Sequence, residues 1–153
     1  MNKSRLIILL PILIIGCTNN SDDINLSCNG YSEIINVYGK NIEEKKEPSI
    51  VPVQIQRVNK GLLNYFKDPI YKVWVNQVYF DENSIYSNKE IIVGQKDPDR
   101  NSTPVIDQTF NLNRNTGHLI FKDSTFYPPT KNRLNSQDTS YFQGKCEKVK
   151  EKI

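Results

Sequence analysis

Residues 70–80 have the sequence Ile-Tyr-Lys-Val-Trp-Val-Asn-Gln-Val-Tyr-Phe, a run rich in β-branched and aromatic side chains. Side chains of these types pack well on the pleated surface of a β-sheet. The two alternating sets of positions are both apolar, one with Trp74, Val78 and Phe80 and the other with Tyr71, Val73, Val75 and Tyr79. Because a strand with two apolar faces is covered on both sides, the run is predicted to be a central strand.

Further strand patterns lie on both sides of this run, at intervals of about ten residues and separated by turn signals. Residues 50–58 alternate apolar and polar side chains, which indicates a half-buried strand, and Pro52 favours an edge or the beginning of that strand. Gly117 can adopt a positive φ in the turn of a predicted hairpin. Strands are predicted at residues 31–38, 85–86, 90–94, 106–113, 118–122 and 141–149. This spacing predicts an antiparallel, mainly β domain, either a small barrel or a sandwich.

Three segments interrupt the strand pattern. Residues 39–48 are charged, lack a hydrophobic face and contain a proline at the end, which predicts an exposed loop. Residues 96–104 are predicted to form a second polar loop. Residues 62–66 fit either a strand or a short helix, and the strand is favoured because Gly61 lies inside the helical pattern.

The N-terminus has the layout of a secretory signal peptide. Lys3 and Arg5 make a short positive region, residues 6–15 are apolar apart from Pro11, and Gly16 is small. The apolar run is about half of the roughly 20 residues that cross a bilayer as a helix, so a permanent transmembrane helix is not predicted.

The end of the apolar run, Ile-Ile-Gly-Cys at residues 14–17, resembles the lipobox of bacterial lipoproteins. The resemblance covers residues 1–17 and implies diacylglycerol on the Cys17 sulfur, cleavage before Cys17 and acylation of the new N-terminus. Two or three acyl chains suffice for stable anchoring, because each buried CH₂ contributes about 0.8 kcal/mol. Thr18 stands where an Asp would mark inner-membrane retention, which implies the outer membrane, facing the periplasm or the cell surface, in a Gram-negative source. The alternative is an ordinary secretory signal with an incidental cysteine.

The chain is predicted to divide into a signal peptide (residues 1–16), a flexible tether (residues 17–26) and a single β-rich domain (residues 27–153). Without the signal peptide 137 of the 153 residues remain, enough for a substantial core. They carry 18 Lys and Arg against 17 Asp and Glu, since the removed segment holds two of the 20 basic residues and no acidic one. This balance gives no indication of nucleic-acid binding.

The chain has three cysteines, and lipid on Cys17 leaves Cys28 and Cys146, one near each end of the domain. In an oxidising compartment the simplest interpretation is a disulfide, and the alternative is two unpaired thiols. A metal site is disfavoured, because only His118 can join the two cysteines and no short cysteine spacing exists.

The sequence contains no recognisable catalytic motif. His118 is the only histidine and lies beside the hairpin turn, where a surface position is favoured over a role in nucleophilic catalysis. The chain has no Gly-x-Ser-x-Gly element and no Gly-rich phosphate loop. Residues 97–101, Asp-Pro-Asp-Arg-Asn, begin like a calcium loop, but Ser102 and Gln108 replace the Gly and Glu that such a loop requires. No catalytic residue, metal or cofactor is therefore predicted.

A looser resemblance covers residues 112–119 (Leu-Asn-Arg-Asn-Thr-Gly-His-Leu) and 144–146 (Gly-Lys-Cys), which are similar to segments of small uncharacterised bacterial secreted proteins and imply no activity. We expect a non-enzymatic, membrane-anchored binding or accessory module of the cell envelope, with an unknown envelope protein as its partner. Lipoprotein lysozyme inhibitors resemble the chain in size, lipid anchor, β content and a disulfide. An inhibitor of this kind is therefore one alternative function. The other is an envelope hydrolase that uses two of the many carboxylates.

Overall fold

The computed structural model describes residues 23–58, 70–96, 98, 103–131 and 134–149. In these ranges the chain forms β1 (Ile24–Tyr38), β2 (Asn41–Val58), β3 (Ile70–Val75), β4 (Val78–Phe80), β5 (Ile85–Ser87), β6 (Ile91–Lys96), β7 (Val105–Asn113), β8 (His118–Tyr127) and β9 (Ser136–Lys148). All of these strands belong to one sheet, in the order β4-β3-β2-β1-β9-β8-β7-β6-β5. Across the described part of the chain, no helix has the length and apolar character needed to cross a membrane.

The sheet curls into a nearly closed barrel in which most strands lie beside their neighbours in sequence. Each strand pairs with its neighbours in sequence, except that β4 does not pair with β5, and β1 also pairs with the last strand, β9. All eight pairings are antiparallel, so β4 and β5, at the two ends of the row, run in the same direction. They are therefore the two halves of one interrupted strand, joined by residues 81–84. The predicted antiparallel, mainly β fold is confirmed, and it is barrel-like.

The core lies where all strands surround the interior. One set of alternating side chains on each strand points inward, as strand geometry requires. The buried apolar side chains are Cys28, Val51, Val53, Ile55, Tyr71, Val73, Val75, Phe80, Ile92, Phe110, Leu112, Leu119, Phe121, Phe142 and Cys146. Beyond this core β2, β1, β9 and β8 continue as a sheet that β3 does not extend, because β3 pairs only with the last part of β2, from Val53 onward.

Aromatic packing holds the interrupted side of the barrel together. Phe80 on β4 and Phe110 on β7 meet edge to face, with ring centroids 4.7 Å apart. Gly94 on β6 lies directly opposite Phe110, and a Cβ added there would overlap the rings of both phenylalanines. The Lys96 amine lies 5.6 Å from the centroid of the Phe80 ring. In the described structure no ladder joins β4 to β6, and side-chain contacts that reach across β6 hold this side of the barrel instead.

Asp81 shapes the turn between the two halves of the interrupted strand. Its Oδ1 accepts hydrogen bonds from the backbone N–H of Asn83 (3.0 Å), the backbone N–H of Ser84 (2.9 Å) and the Ser84 hydroxyl (2.8 Å). The Ser84 hydroxyl is the largest cause that holds the pKa of Asp81 below its ordinary value, followed by the Ser84 backbone N–H. These bonds favour the ionised carboxylate, so the turn is best stabilised at pH values above the ordinary carboxyl range.

The prediction of one central strand over residues 70–80 is wrong in one respect. The run is a hairpin, in which β3 and β4 are joined by Asn76 and Gln77 with φ values of 46° and 72°. Trp74 and Tyr79, opposite each other on the two strands, pack on the outer face with ring centroids 4.9 Å apart. Two apolar faces therefore reflect an inner core and an outer aromatic pair.

The prediction of an exposed loop at residues 39–48 is also wrong. β2 begins at Asn41, and its residues 41–46, four of which are charged, are exposed because only β1 pairs with them in the described structure. The Pro52 carbonyl accepts a hydrogen bond from the backbone N–H of Asn76 at 2.9 Å, so the even-numbered residues of β2 direct their backbone groups away from β1. Pro48 and Pro52 have no N–H group to donate at that edge of β2. An edge is one of the positions predicted for Pro52, and prolines there hinder pairing with other chains.

The hairpin of β7 and β8, with Gly117 at φ 69°, and the short strands before it are confirmed. β1 begins at Ile24, inside the segment predicted as a tether. Residues 1–17 with the signal peptide and Cys17, residues 62–66, and residues 97–101 apart from Pro98 lie outside the described residues.

Candidate binding groove

Cys28 and Cys146 form the predicted disulfide. They lie directly opposite each other in the β1–β9 ladder, with an S–S distance of 2.00 Å and 118 positions between them in the sequence. Both are buried. The bond therefore joins the first strand to the last, and we call this β1–β9 pairing the seam.

A pair of glycines lets the two strands of the seam approach closely. Gly30 lies directly opposite Gly144, one pair beyond the disulfide on the inward-facing side of the strands. A Cβ on Gly30 would overlap the backbone of Gln143 and Gly144, and a Cβ on Gly144 would lie 2.6 Å from the carbonyl oxygen of Asn29. Larger residues would thus push β1 and β9 apart at this point.

A cleft of about 400 Å³ lies over the seam on the outer face of the barrel. Its side chains alternate along β1 and β9 with the inward-pointing Cys28, Ser32, Phe142 and Cys146, and so point away from the core. We call it the seam groove; it is lined by Gly30, Tyr31, Glu33, Lys46, His118, Tyr141, Gln143, Gly144 and Lys145.

The ladder register sets the arrangement of the groove. Tyr31 on β1 lies opposite Gln143 on β9, and Glu33 lies opposite Tyr141. Lys46 on β2 lies opposite Glu33 on the other side of β1. The Lys46 amine is 5.8 Å from the centroid of the Tyr31 ring, which is 56% exposed. Aromatic and planar polar groups therefore alternate across the seam, with an amine at one edge.

His118 contributes to the other end of the groove. It is the first residue of β8, half-buried, and lies opposite Lys145. Its Nε2 is 3.3 Å from the Gln143 amide nitrogen. Because that nitrogen is a donor, the contact is a hydrogen bond when His118 Nε2 accepts. The predicted position beside the hairpin turn is confirmed, and the histidine also borders a concave surface.

The charges of the groove are unequal. Two amines, on Lys46 and Lys145, line it with a single carboxylate, on Glu33, so the formal balance is positive. Within the residues that the structure describes, no group of three or more His, Cys, Asp or Glu side chains is placed to hold a metal ion. The groove can therefore supply hydrogen bonds, aromatic contacts and positive charge to a bound molecule.

A second polar region lies inside the barrel, beyond the aromatic core. Asp123 on β8 accepts a hydrogen bond from the Gln108 side chain at 3.1 Å. Asp138 on β9 has one oxygen that is buried and without a hydrogen-bond partner in the described structure. The two aspartates are diagonal neighbours on the inward-facing side, because Asp123 lies opposite Ser140 and Asp138 lies opposite Thr125. This region is separate from the seam groove.

Comparison with protein-family models, curated proteins and solved structures finds no significant match to this chain. The groove residues Tyr31, Glu33, Tyr141 and Gln143 were not predicted as functional. A signal for them exists in the sequence, because a disulfide between Cys28 and Cys146 fixes which alternate residues of the two end strands face outward.

Proposed function

We propose that the chain is a lipid-anchored lipoprotein of the bacterial cell envelope whose disulfide-closed β domain binds an envelope component at the seam groove without catalysing a reaction. The anchor is supported by the cysteines. The disulfide uses Cys28 and Cys146, so Cys17, at the end of the lipobox-like motif, is the remaining one of three. A thiol outside the disulfide at that position is what lipid attachment requires.

The start of β1 is consistent with this anchor. Ile24 is seven positions after Cys17, and seven extended residues reach roughly 25 Å at most. The end of the barrel at Ile24 would therefore lie close to the bilayer. Tyr31 is seven residues farther along β1, roughly 23 Å away at about 3.3 Å per residue, which leaves the groove accessible above the membrane.

The make-up of the seam groove is the observation that favours binding over hydrolysis. Hydrolysis by paired carboxylates needs two acids that flank the bond to be cleaved. Among the described residues that line the groove, Glu33 is the one carboxylate. Its neighbours are tyrosines, an amide, an imidazole and amines, which are groups that hold a molecule by hydrogen bonds and contact area.

We expect Cys17→Ser to abolish partitioning of the protein into the detergent phase, because the substitution removes the sulfur that carries the diacylglycerol. Phase separation with Triton X-114 and immunoblotting of both phases would measure this. Ser21→Ala, in the same N-terminal segment, is the control and should partition like the unaltered protein. A cleaved Cys17→Ser protein that remains fully in the detergent phase would contradict the anchor.

For the groove, we expect a photoreactive amino acid at Tyr31 to form a discrete adduct in cells that express the protein, because that position is exposed within the concave surface. The matched control is the same amino acid at Tyr86 on β5, which is 64% exposed. Equal labelling from both positions would contradict a binding site at the seam. Hydrolysis of peptidoglycan, glycoside, peptide or ester substrates that Glu33→Gln abolishes would contradict a non-catalytic role.

A further inference from the structure

The backbone of the two central strands of the seam groove is engaged in the sheet on both sides. β1 pairs with β2 on one side and with β9 on the other, and β9 also pairs with β8. Extended peptides are often bound by adding a strand to a free sheet edge, where main-chain hydrogen bonds supply the affinity. The two strands at the centre of the groove have no such edge. In the described structure β2 has an open edge beside it at Lys46, because β3 pairs with β2 only from Val53 onward, but Pro48 and Pro52 remove two donors from that edge, so recognition depends mainly on side chains.

The side chains of the groove alternate in a way that suits a sugar. Tyr31 is paired across the seam with Gln143, and Tyr141 is paired with Glu33. A pyranose ring has a face of C–H groups that packs on an aromatic ring, and a rim of hydroxyls that exchanges hydrogen bonds with amides and carboxylates. A tyrosine offers both an apolar ring and a polar hydroxyl. The volume of about 400 Å³ also lies in the range of roughly 300–1,000 Å³ that is typical of small-molecule sites.

The positive balance of the groove favours a ligand with negative charge. Lys46 lies opposite Glu33, whereas Lys145 lies opposite His118 and has no carboxylate among the other described lining residues at that end. Complementary charge contributes to selectivity and to the rate of association. A carboxylate on the ligand would therefore be expected near Lys145, with the sugar rings on the tyrosines.

We propose that the seam groove binds an acidic glycan, a chain of pyranose rings that carries carboxylates, with Tyr31 and Tyr141 contacting the rings and Lys145 contacting a carboxylate. This inference deepens the proposed function and rests on it. A glycan is favoured over an acidic peptide because it needs no main-chain hydrogen bonds, which β1 and β9 cannot give and which the proline-interrupted edge of β2 gives incompletely.

The test is isothermal titration calorimetry of the purified protein with oligogalacturonate, an acidic probe, and with a galactose oligomer of equal length as its neutral counterpart. We expect the acidic probe to bind about tenfold more tightly. Tyr31→Ala should weaken the binding of both probes by about tenfold, as for a central aromatic contact. Lys145→Gln should weaken the acidic probe alone, and Tyr86→Ala should change neither. All three positions are exposed, and circular dichroism would verify the fold.

An oligoglutamate peptide of the same charge separates the possible failures. If it binds as tightly as oligogalacturonate and loses affinity in Tyr31→Ala, the groove remains a binding site but the glycan proposal is overturned. Absence of binding to oligogalacturonate at millimolar concentration also overturns it, and the cross-linking result at Tyr31 then decides the proposed function independently. Binding that Tyr31→Ala and Lys145→Gln leave unchanged places the site elsewhere and refutes the inference.

Discussion

Replacing both Cys28 and Cys146 with alanine is expected to lower the free energy of unfolding by about 4–5 kcal/mol. The disulfide joins residues 118 positions apart, so it restricts nearly the whole unfolded domain. In the chain-entropy account, the effect of a cross-link grows with the length of the loop that it closes. Because a typical domain is stable by about 5–15 kcal/mol, the loss would remove a large share of the total.

Urea unfolding followed by tryptophan fluorescence would measure this loss, since Trp74 is the only tryptophan. The unaltered protein with a reducing agent is the matched control and should unfold at the same urea concentration as the double variant. A difference below about 1 kcal/mol would mean that the β1–β9 ladder closes the barrel without help from the bond.

Phe110→Ala is expected to cost about 3–5 kcal/mol, the usual range for removal of a buried phenylalanine. Its side chain is almost completely buried, packs on Phe80 from the opposite side of the interruption, and covers Gly94. The substitution would therefore leave a cavity on the side of the barrel where no ladder joins β4 to β6 in the described structure. Phe126→Ala, a half-buried phenylalanine on β8, is the control and should cost less.

A double-mutant cycle tests the contact itself. Gly94→Ala alone should cost about 1–3 kcal/mol, because its new methyl group would overlap the Phe110 and Phe80 rings. In the Phe110→Ala background the closest overlap is removed and only that with the Phe80 ring remains, so the cost should fall and the two changes should not add. An equal cost of Gly94→Ala in both backgrounds would show that the Phe110 ring does not limit the space at Gly94.

Local patterns predicted most of the strands. Alternation in residues 50–58 and 106–113, and the glycine at position 117, are signals carried by a few neighbouring residues, and the structure confirms them. The disulfide was predictable because a domain with one cysteine near each end has a simple pairing. The strands and the turn were predicted from patterns of neighbouring residues, and the disulfide from the number and positions of the cysteines.

Two elements were mispredicted for physical reasons. Asn76 and Gln77 form a tight turn with positive φ, a conformation usually signalled by glycine, so the hairpin looked like one strand. The charged start of β2 has no buried face, and its strand conformation comes from pairing with β1 rather than from its own side chains. A strand held in this way by its partner carries no periodic signal of its own.

The seam groove was not predicted, because it is assembled from distant parts of the chain and only the register implied by the disulfide connects them. Tyr31 and Gln143 are neighbours only through the β1–β9 register. In the sequence they stand among ordinary strand residues, and exposure, not residue type, distinguishes them from core positions.

The pairing of β1 with β9 also constrains the order in which the domain can assemble as it emerges from the ribosome. β1 gains one neighbour as soon as β2 is complete, but its other edge stays open until residues 136–148 have been delivered. A nascent chain that stops before Ser136 would present that long unpaired edge, which invites association with other chains. The open edge of β1 is therefore covered only when β9, the thirteen-residue last strand, has been synthesised and has paired with it.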